Sequence, residues 1–210
     1  MNPDRRAEIL DAAATLILER GYTLTSVHDV IRGAGLSGKS QFYHYFPSKE
    51  ALGYEVLDRQ FAWFESHGLT VLRTPGVPPL ERLNEFIDAL VTIHSSRECR
   101  TGCPFGNLAG ELSQAHEGFR ARIEVVFERW ATQLQALFWE ARMELVQHAD
   151  AARLARFVVA TLEGAILVSR VKRDPESLEE IAADLKRFIG MHVRGRMPAV
   201  VSRAGAVIQQ

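Results

Sequence analysis

Apolar residues recur at intervals of three and four along nearly the whole chain, and this spacing constrains the fold more than any other feature. The clearest run extends from Phe119 to Leu145, where the spacing continues for about seven turns. We find no segment that alternates apolar and polar residues as a half-buried strand does. The pattern therefore predicts an all-α protein of about nine helices, three short ones followed by a larger bundle.

Helix-ending residues divide this pattern into parts. Gly21 can end the first helix in the left-handed conformation, and either Thr25 or Ser26 can cap the second. Pro47 ends the third short helix. We expect three parts on this basis: an N-terminal domain at residues 1–47, a larger domain at residues 48–193 and a flexible tail at residues 194–210.

Charge and cysteine content exclude several classes of protein. With 25 Lys and Arg against 26 Asp and Glu, the net charge is -1, so any attraction to DNA must come from a local cluster. Two cysteines cannot form a disulfide framework. The longest apolar run, Phe157–Val171, contains Glu163 and Arg170 and is shorter than the ~20 residues that span a bilayer. We expect a cytoplasmic protein without membrane association.

The second and third predicted helices meet at the turn Gly33–Gly35, which is the minimal layout of a helix-turn-helix. A helix that enters a major groove about 12 Å wide needs a small, polar leading face. The residues that provide such a face are Ser37, Gly38, Lys39, Ser40 and Gln41. On spacing alone, an ordinary corner between two helices, with the aromatic residues that follow as its core, explains the pattern equally well.

The residues themselves decide between these interpretations. Gly21–Tyr22, Thr25–Val27, Ala34–Ser37 and Phe42–Leu52 resemble, in order and in spacing, the N-terminal signature of the TetR family of transcriptional regulators. The resemblance covers about residues 5–57. It departs from the family at Ser37–Gln41, which is one residue longer than usual, so the recognition helix starts at either Ser37 or Lys39.

The resemblance implies specific roles for residues of this region. It implies base contacts from the stretch Ser37–Gln41 and contacts to DNA phosphates from Ser26, Tyr43, His44 and Lys49. Regulators of this kind act as homodimers on a near-palindromic DNA operator and repress until a small-molecule effector releases them. The resemblance implies no cofactor.

The rest of the chain resembles the family in architecture only, with a ligand pocket inside the bundle and two last helices that pair across a two-fold axis. These helices carry more apolar surface than a peripheral pair needs. The predicted dimer interface consists of Phe157, Leu167, Leu178, Ile181, Leu185 and Phe188. Burial of this surface within a single chain is the alternative.

Aromatic residues of the bundle are candidates for the wall of an apolar ligand pocket, and a few polar residues are candidates for its hydrogen-bonding groups. The candidate pocket residues are Trp63, Phe64, His67, Phe86, His94, Phe105, Asn107, Glu111, Phe127 and Trp130. Aromatic residues at helical spacing are more often plain core. If these residues do line a cavity, they favour a mostly apolar ligand with one or two polar groups.

Cys99 and Cys103 lie in a loop that leads into a helix. Arg97 and Arg100 would stabilise a thiolate, and a position at a helix start would lower the pKa of Cys103. The segment also resembles the electrophile-responsive members of the family, with Arg170 as a basic partner. The alternative is a small residue filling a tight junction. We expect no metal site, because only His94 would join the two thiols.

The predicted function is therefore a dimeric, DNA-binding repressor that is released by a small apolar ligand or by a cysteine-reactive or oxidising signal. The alternative is a helical small-molecule-binding protein or enzyme with a degenerate DNA-binding head. We find no HExxH, no glycine-rich phosphate loop and no Ser-His-Asp set at useful spacing. The sequence thus argues against an enzyme.

Overall fold

The computed structural model describes residues 3–195 and folds them into nine α-helices without a β-sheet. Two short 3-10 helices, Leu69–Arg73 and Ala141–Met143, lie between them. The α-helices are α1 Pro3–Arg20, α2 Val27–Gly33, α3 Lys39–Tyr45, α4 Lys49–His67, α5 Pro79–Ser95, α6 Pro104–Leu112, α7 Glu117–Glu140, α8 Ala151–Lys172 and α9 Pro175–Gly190. The prediction of an all-α protein of about nine helices is confirmed for the described part of the chain.

Local capping explains where the short N-terminal helices begin and end. Gly21 adopts a φ of 89° directly after α1, a conformation that costs glycine little. Ser26 caps α2 through a reciprocal pair of bonds, in which Asp29 N donates to Ser26 Oγ at 3.1 Å and Ser26 N donates to Asp29 Oδ2 at 3.0 Å. Of the two predicted caps, Ser26 is the one used.

The N-terminal helices share a core with the start of α4. Ile9, Phe42, Phe46 and Leu57 are each fully buried in it. Because Phe42 and Phe46 fix the inner side of α3, the opposite side of that helix faces solvent. The long helix α4 packs against α1 and continues into the larger bundle, so it connects the two halves of the molecule.

In the larger bundle, α7 packs along α8, and α8 packs against α9. The predicted helix Phe119–Leu145 stops at Glu140. A 3-10 turn follows, and Leu145 then pairs with Val193 in an isolated antiparallel bridge. The apolar spacing continues beyond Glu140 because Ala141 and Leu145 are also buried, although the chain has left the helix.

The end of the described chain is held against this bridge. Arg194, the first residue of the predicted tail, donates from its N to Glu144 O at 2.7 Å and from its Nε to Leu145 O at 2.7 Å. Residues 196–210 of the predicted tail lie outside the described residues. None of the helices in residues 3–195 is long and apolar enough to span a membrane.

Candidate nucleic-acid interface and ligand cavity

Helix α3 begins at Lys39, with Gly38 as its N-cap residue. Ser37, two residues before the helix, is tied to Gln41, whose Oε1 accepts from Ser37 N at 2.8 Å and from Ser37 Oγ at 3.1 Å. In the free protein, the Gln41 side chain is therefore hydrogen-bonded to the residue before the N-cap of α3. Its amide oxygen reaches a base edge only if this local pair opens.

The outward side of α3 carries the remaining polar candidates. Lys39, Ser40, Tyr43 and His44 are all exposed, whereas Gly38 is half-buried. The ring of Tyr43 lies at 87° to the ring of Phe42 with centroids 5.2 Å apart, so the buried neighbour supports it. This side of the helix is small and polar near Lys39 and aromatic towards its end.

The structure places Lys49 at the junction of the two domains. Its Nζ lies 4.2 Å from the centroid of the Tyr22 ring and 3.4 Å from the carbonyl oxygen of Thr23. Burial lowers the pKa of Lys49, and the charge of Glu111 partly opposes this shift. Ser26 is occupied as the cap of α2. Both residues therefore already have partners in the protein.

Glu111, at the end of α6, lies at this junction and not in a pocket wall. Its carboxylate accepts hydrogen bonds from the backbone N–H of Tyr22 at 2.8 Å and of Thr23 at 2.5 Å. A Cβ at Gly21 would lie 2.9 Å from Glu111 Oε2, so glycine permits this approach. Burial alone would raise the pKa of Glu111, but the hydrogen bonds from Thr23 and Tyr22 lower it.

An apolar cavity of about 260 Å³ lies inside the bundle, beside the domain junction. Its wall includes parts of α1, α4, α5, α6, α7 and α8. The residues that form the wall are Leu18, Gln60, Trp63, Phe64, Leu90, Ile93, His94, Arg97, Cys103, Pro104, Phe105, Trp130, Glu163 and Ile166. Trp63 and Arg97 are exposed members of this wall and mark its solvent side.

Three polar atoms in this wall are buried and have no hydrogen-bond partner among residues 3–195: Gln60 Oε1, Trp130 Nε1 and Glu163 Oε1. Buried polar groups are normally paired, so these atoms are available to a ligand. Burial, followed by the charge of Arg97, lowers the pKa of His94 to about 4. The His94 ring is therefore neutral at neutral pH.

The structure divides the predicted pocket residues into two groups. Trp63, Phe64, His94, Phe105 and Trp130 line the cavity. Two others adjoin it: His67 stacks on Trp63 at 4.9 Å on the exposed side of α4, and Phe86 packs behind Phe64 and Trp130. Asn107 and Phe127 line a smaller neighbouring cavity.

The predicted pocket residues omit three polar or charged residues of the cavity wall, Gln60, Arg97 and Glu163. For Glu163 a signal existed, because it is the only acidic residue in the apolar run Phe157–Val171. Gln60 has no such signal, since a polar residue on an amphipathic helix normally faces solvent.

Both cysteines are free thiols and buried. Burial, followed by the charge of Glu163, raises the pKa of Cys103 well above its usual value, and burial also raises the pKa of Cys99. The expectation of a lowered Cys103 pKa is thus wrong, although Cys103 does precede α6 directly. The Cys103 thiol lies beside the Glu163 carboxyl group, whose charge and hydrogen bonding contribute to the raised pKa of Cys103.

Of the three arginines expected near the thiols, Arg100 and Arg170 have other partners. Arg100 forms an ion pair with Glu98 at 2.7 Å. Arg170 donates to Asn107 Oδ1 at 2.6 Å, and Asn107 in turn donates to Thr101 O at 2.7 Å. Arg170 therefore holds the loop that carries Cys103, and its hydrogen bond is to Asn107 and not to sulfur.

The helix pair α8–α9 exposes an apolar strip on α8, which we call the α8 strip: Phe157, Leu167, Val168 and Val171. Leu167 is 59% exposed and Val171 79% exposed. Of the residues predicted at a dimer interface, Phe157 and Leu167 lie on this strip. Ile181 and Phe188 are half-buried, whereas Leu178 and Leu185 point into their own chain and are 1% and 2% exposed.

Comparisons with known proteins agree with this arrangement. Residues 9–56 match the family described as bacterial regulatory proteins of the tetR family, and residues 79–184 match the C-terminal domain described as transcriptional regulator LmrA/YxaF-like. An HTH-type transcriptional regulator in the lacX 3′ region of Lactococcus lactis subsp. lactis is 33% identical over 83% of this chain and 87% of its own length.

Two further relatives cover most of the chain. The HTH-type transcriptional repressor DhaR of Mycobacterium sp. strain GP1 is 30% identical over 83% of this chain and 87% of its own length. The crystal structure of a regulatory protein TetR from Rhodobacter sphaeroides superposes with a TM-score of 0.80 at 27% identity, covering 89% of this chain and 97% of its own. The chain therefore belongs to the TetR family of helix-turn-helix transcriptional regulators.

Proposed function

We propose that this regulator is a dimeric repressor that binds a near-palindromic operator and releases it when a small molecule fills the cavity. The observation that carries the proposal is the position of the cavity: α4, which begins four residues after α3 ends, contributes Gln60, Trp63 and Phe64 to its wall. DhaR, a relative, is a transcriptional repressor. We place the site of action in the cytoplasm, where a bacterial operator lies.

The exposed side of α3 is the proposed reading surface. Lys39 and Ser40 precede the aromatic part of the helix. Ser40 is small enough to let the helix approach the DNA closely, and Lys39 is long enough to reach into a major groove. Tyr43 and His44 would contact phosphates. Lys49 and Ser26 would do so only after leaving partners they have in the free protein, so we assign them a smaller share of the affinity.

Two copies would pair through α8 and α9, with the α8 strip at the centre. Its exposed apolar side chains are next to Ile181 and Phe188 in the same helix pair, and Phe188 packs on Phe157 with ring centroids 4.5 Å apart. A four-helix interface formed in this way fixes the separation of the two α3 helices. Successive major grooves lie about 34–36 Å apart, so this separation determines affinity.

Ligand binding would reach the DNA-binding domain along two routes. The first route is α4, which holds cavity residues at one end and adjoins α3 at the other. The second is α6, where Phe105 lines the cavity and Glu111 holds the backbone between α1 and α2. A ligand that moves either helix changes the spacing of the paired α3 helices and thereby lowers operator affinity.

A cysteine-reactive signal is a second candidate trigger, and one contact favours it. Cys103 lies in the cavity wall beside Glu163. Glu163 is therefore placed to accept the thiol proton when the Cys103 sulfur attacks an electrophile bound in the cavity and forms a covalent bond to it. The raised pKa of Cys103 restricts this route to compounds that bind in the cavity first.

Selection of duplexes from a random pool tests the proposed function. We expect enrichment of one near-palindromic sequence, and loss of that enrichment with the K39A/Y43A variant. The variant R142A, which removes an exposed arginine in the 3-10 helix after α7, should select the same sequence as the natural chain. A helical small-molecule-binding protein or enzyme with a degenerate head, the alternative, would enrich no sequence.

A further inference from the structure

Glu163 is half-buried in the cavity wall, and its carboxyl group lies against α6. A Cβ at Gly106 on α6 would lie 2.3 Å from Glu163 Oε2, so glycine at this position makes the room that the carboxyl group occupies. Cys103 lies beside the group and favours its charged form. One carboxyl oxygen, Oε1, is buried without a hydrogen-bond partner among residues 3–195.

Nothing in the described residues supplies a counter-charge to Glu163. The ion pairs found in residues 3–195 do not include it. Arg97 lies on the solvent side of the wall, and Arg170 donates to Asn107. A buried carboxylate without a cation is unfavourable, and burial accordingly raises the pKa of Glu163. A ligand can provide the missing positive charge.

The rest of the cavity suits the body of such a ligand. Trp63, Phe64, Phe105 and Trp130 line it, and aromatic rings attract organic cations as well as apolar groups. The His94 ring is neutral, so it places no competing positive charge in the wall. The volume of about 260 Å³ restricts the ligand to a compact molecule.

We propose that the effector class of this regulator is a lipophilic organic cation, with its ammonium group against the Glu163 carboxylate and its apolar body among the four aromatic rings. This inference rests on the proposed ligand-binding role of the cavity. It goes further by assigning the charge of the ligand and the residue that recognises it.

The proposal has a pH dependence of defined sign. Protonated Glu163 has no charge to offer, so affinity for the cation falls as pH decreases through the raised Glu163 pKa. The polar groups that share the cavity wall with Glu163 are Cys103 from the loop before α6, His94 from α5, Arg97 from the loop after α5, Gln60 from α4 and Trp130 from α7. The pKa of His94 is about 4, and the pKa of Cys103 lies well above its usual value. A change in affinity for the cation between these two pH limits therefore comes from neither group.

A matched pair of probes tests the proposal: benzyltrimethylammonium and its neutral isostere neopentylbenzene, with binding followed by tryptophan fluorescence. The full chain should bind the cation at least about tenfold more tightly than the isostere. The variant E163Q should lose that preference but keep its affinity for the isostere, which shows that it is folded. E180Q, at an exposed glutamate of α9, should behave as the natural chain.

Three results would overturn the proposal: equal affinity of the natural chain for both probes, an unchanged preference in E163Q, or no binding of either probe. If E163Q fails to fold, the pH dependence of the natural chain decides, because only cation binding should weaken at low pH. Operator binding by the same preparation tests the proposed function separately. A chain that binds its operator but shows no charge preference refutes this inference alone.

Discussion

Glu111 on α6 accepts a hydrogen bond from the backbone N–H of Tyr22 at 2.8 Å, across 89 positions of sequence. The pair joins the ligand-binding bundle to the chain between the first two helices. Tyr22 also packs its ring on Phe119 at the start of α7, with centroids 4.9 Å apart. The DNA-binding domain is therefore attached to the bundle through α6 and α7 as well as through α4.

Removal of this attachment should be measurable as a loss of stability. We expect E111A to lower the free energy of unfolding by about 1–3 kcal/mol, because two backbone donors lose a charged acceptor. Chemical denaturation checks the value. E128A, at an exposed glutamate on α7, is the control and should change it by less than about 0.5 kcal/mol.

The same pair should carry the signal from cavity to operator. An E111Q chain that still binds the operator should need more ligand for release, since one of the two routes between the domains is weakened. Release curves by fluorescence anisotropy measure this. Identical curves for E111Q and the natural chain would show that α4 alone transmits the signal.

The contacts to DNA should differ between Lys39 and Gln41. K39A should weaken binding to every duplex and reduce the slope of log affinity against log salt by about 1. This is the change expected when the protein loses one positive charge that contacts a phosphate or a base edge. Gln41 also closes the start of α3, so Q41A should change sequence preference. Titrations at several salt concentrations distinguish the two effects, and an unchanged salt slope in K39A would place Lys39 outside the interface.

Much of this arrangement follows from sequence, for reasons that are local. The 3.6-residue spacing, the candidate caps Thr25 and Ser26, and Pro47 specify helices and their limits without reference to the rest of the fold. The contact of Glu111 with Tyr22 has no local signature, because it depends on how α6 lies across the N-terminal domain. Leu178 and Leu185 were predicted at a dimer interface but are buried within their own chain. An apolar stripe on a helix does not indicate whether it packs inside the chain or against a second copy.

The pKa of a cysteine thiol is a second property that local sequence does not determine. A position before a helix predicts a lowered thiol pKa, yet Cys103 is enclosed by the cavity wall and contacts an acid, and these effects raise its pKa. Iodoacetamide should therefore label Cys103 more slowly than free cysteine at pH 7.5, with the rate rising towards higher pH. Mass spectrometry after timed quenching measures it; labelling faster than free cysteine would contradict the assigned environment.

The α8 strip should hold two chains together. We expect V171E to shift the protein from dimer to monomer, because the charge would be buried in an apolar interface. V125E introduces the same charge at an exposed valine of α7 that is 50% exposed, and it should remain dimeric. Light scattering after gel filtration gives the mass of each variant, and a dimeric V171E would move the interface elsewhere.

His94 should make stability depend on pH below neutrality. Its pKa is about 4 in the folded chain against 6.5 for an ordinary histidine, so the unfolded chain binds more protons between these values. Stability is then lost as pH falls from 6.5 towards 4, by at most about 3 kcal/mol. H94Q should flatten this dependence and H148Q, at an exposed histidine, should not. Parallel curves for H94Q and the natural chain would exclude His94 as the source.

The most direct test of the central claim is the stoichiometry and salt dependence of binding to the selected duplex, measured by analytical ultracentrifugation. We expect two chains per near-palindromic site, with affinity that falls steeply as salt rises and a free protein that already sediments as a dimer. A chain that stays monomeric, or binds all duplexes alike at every salt concentration, would contradict it.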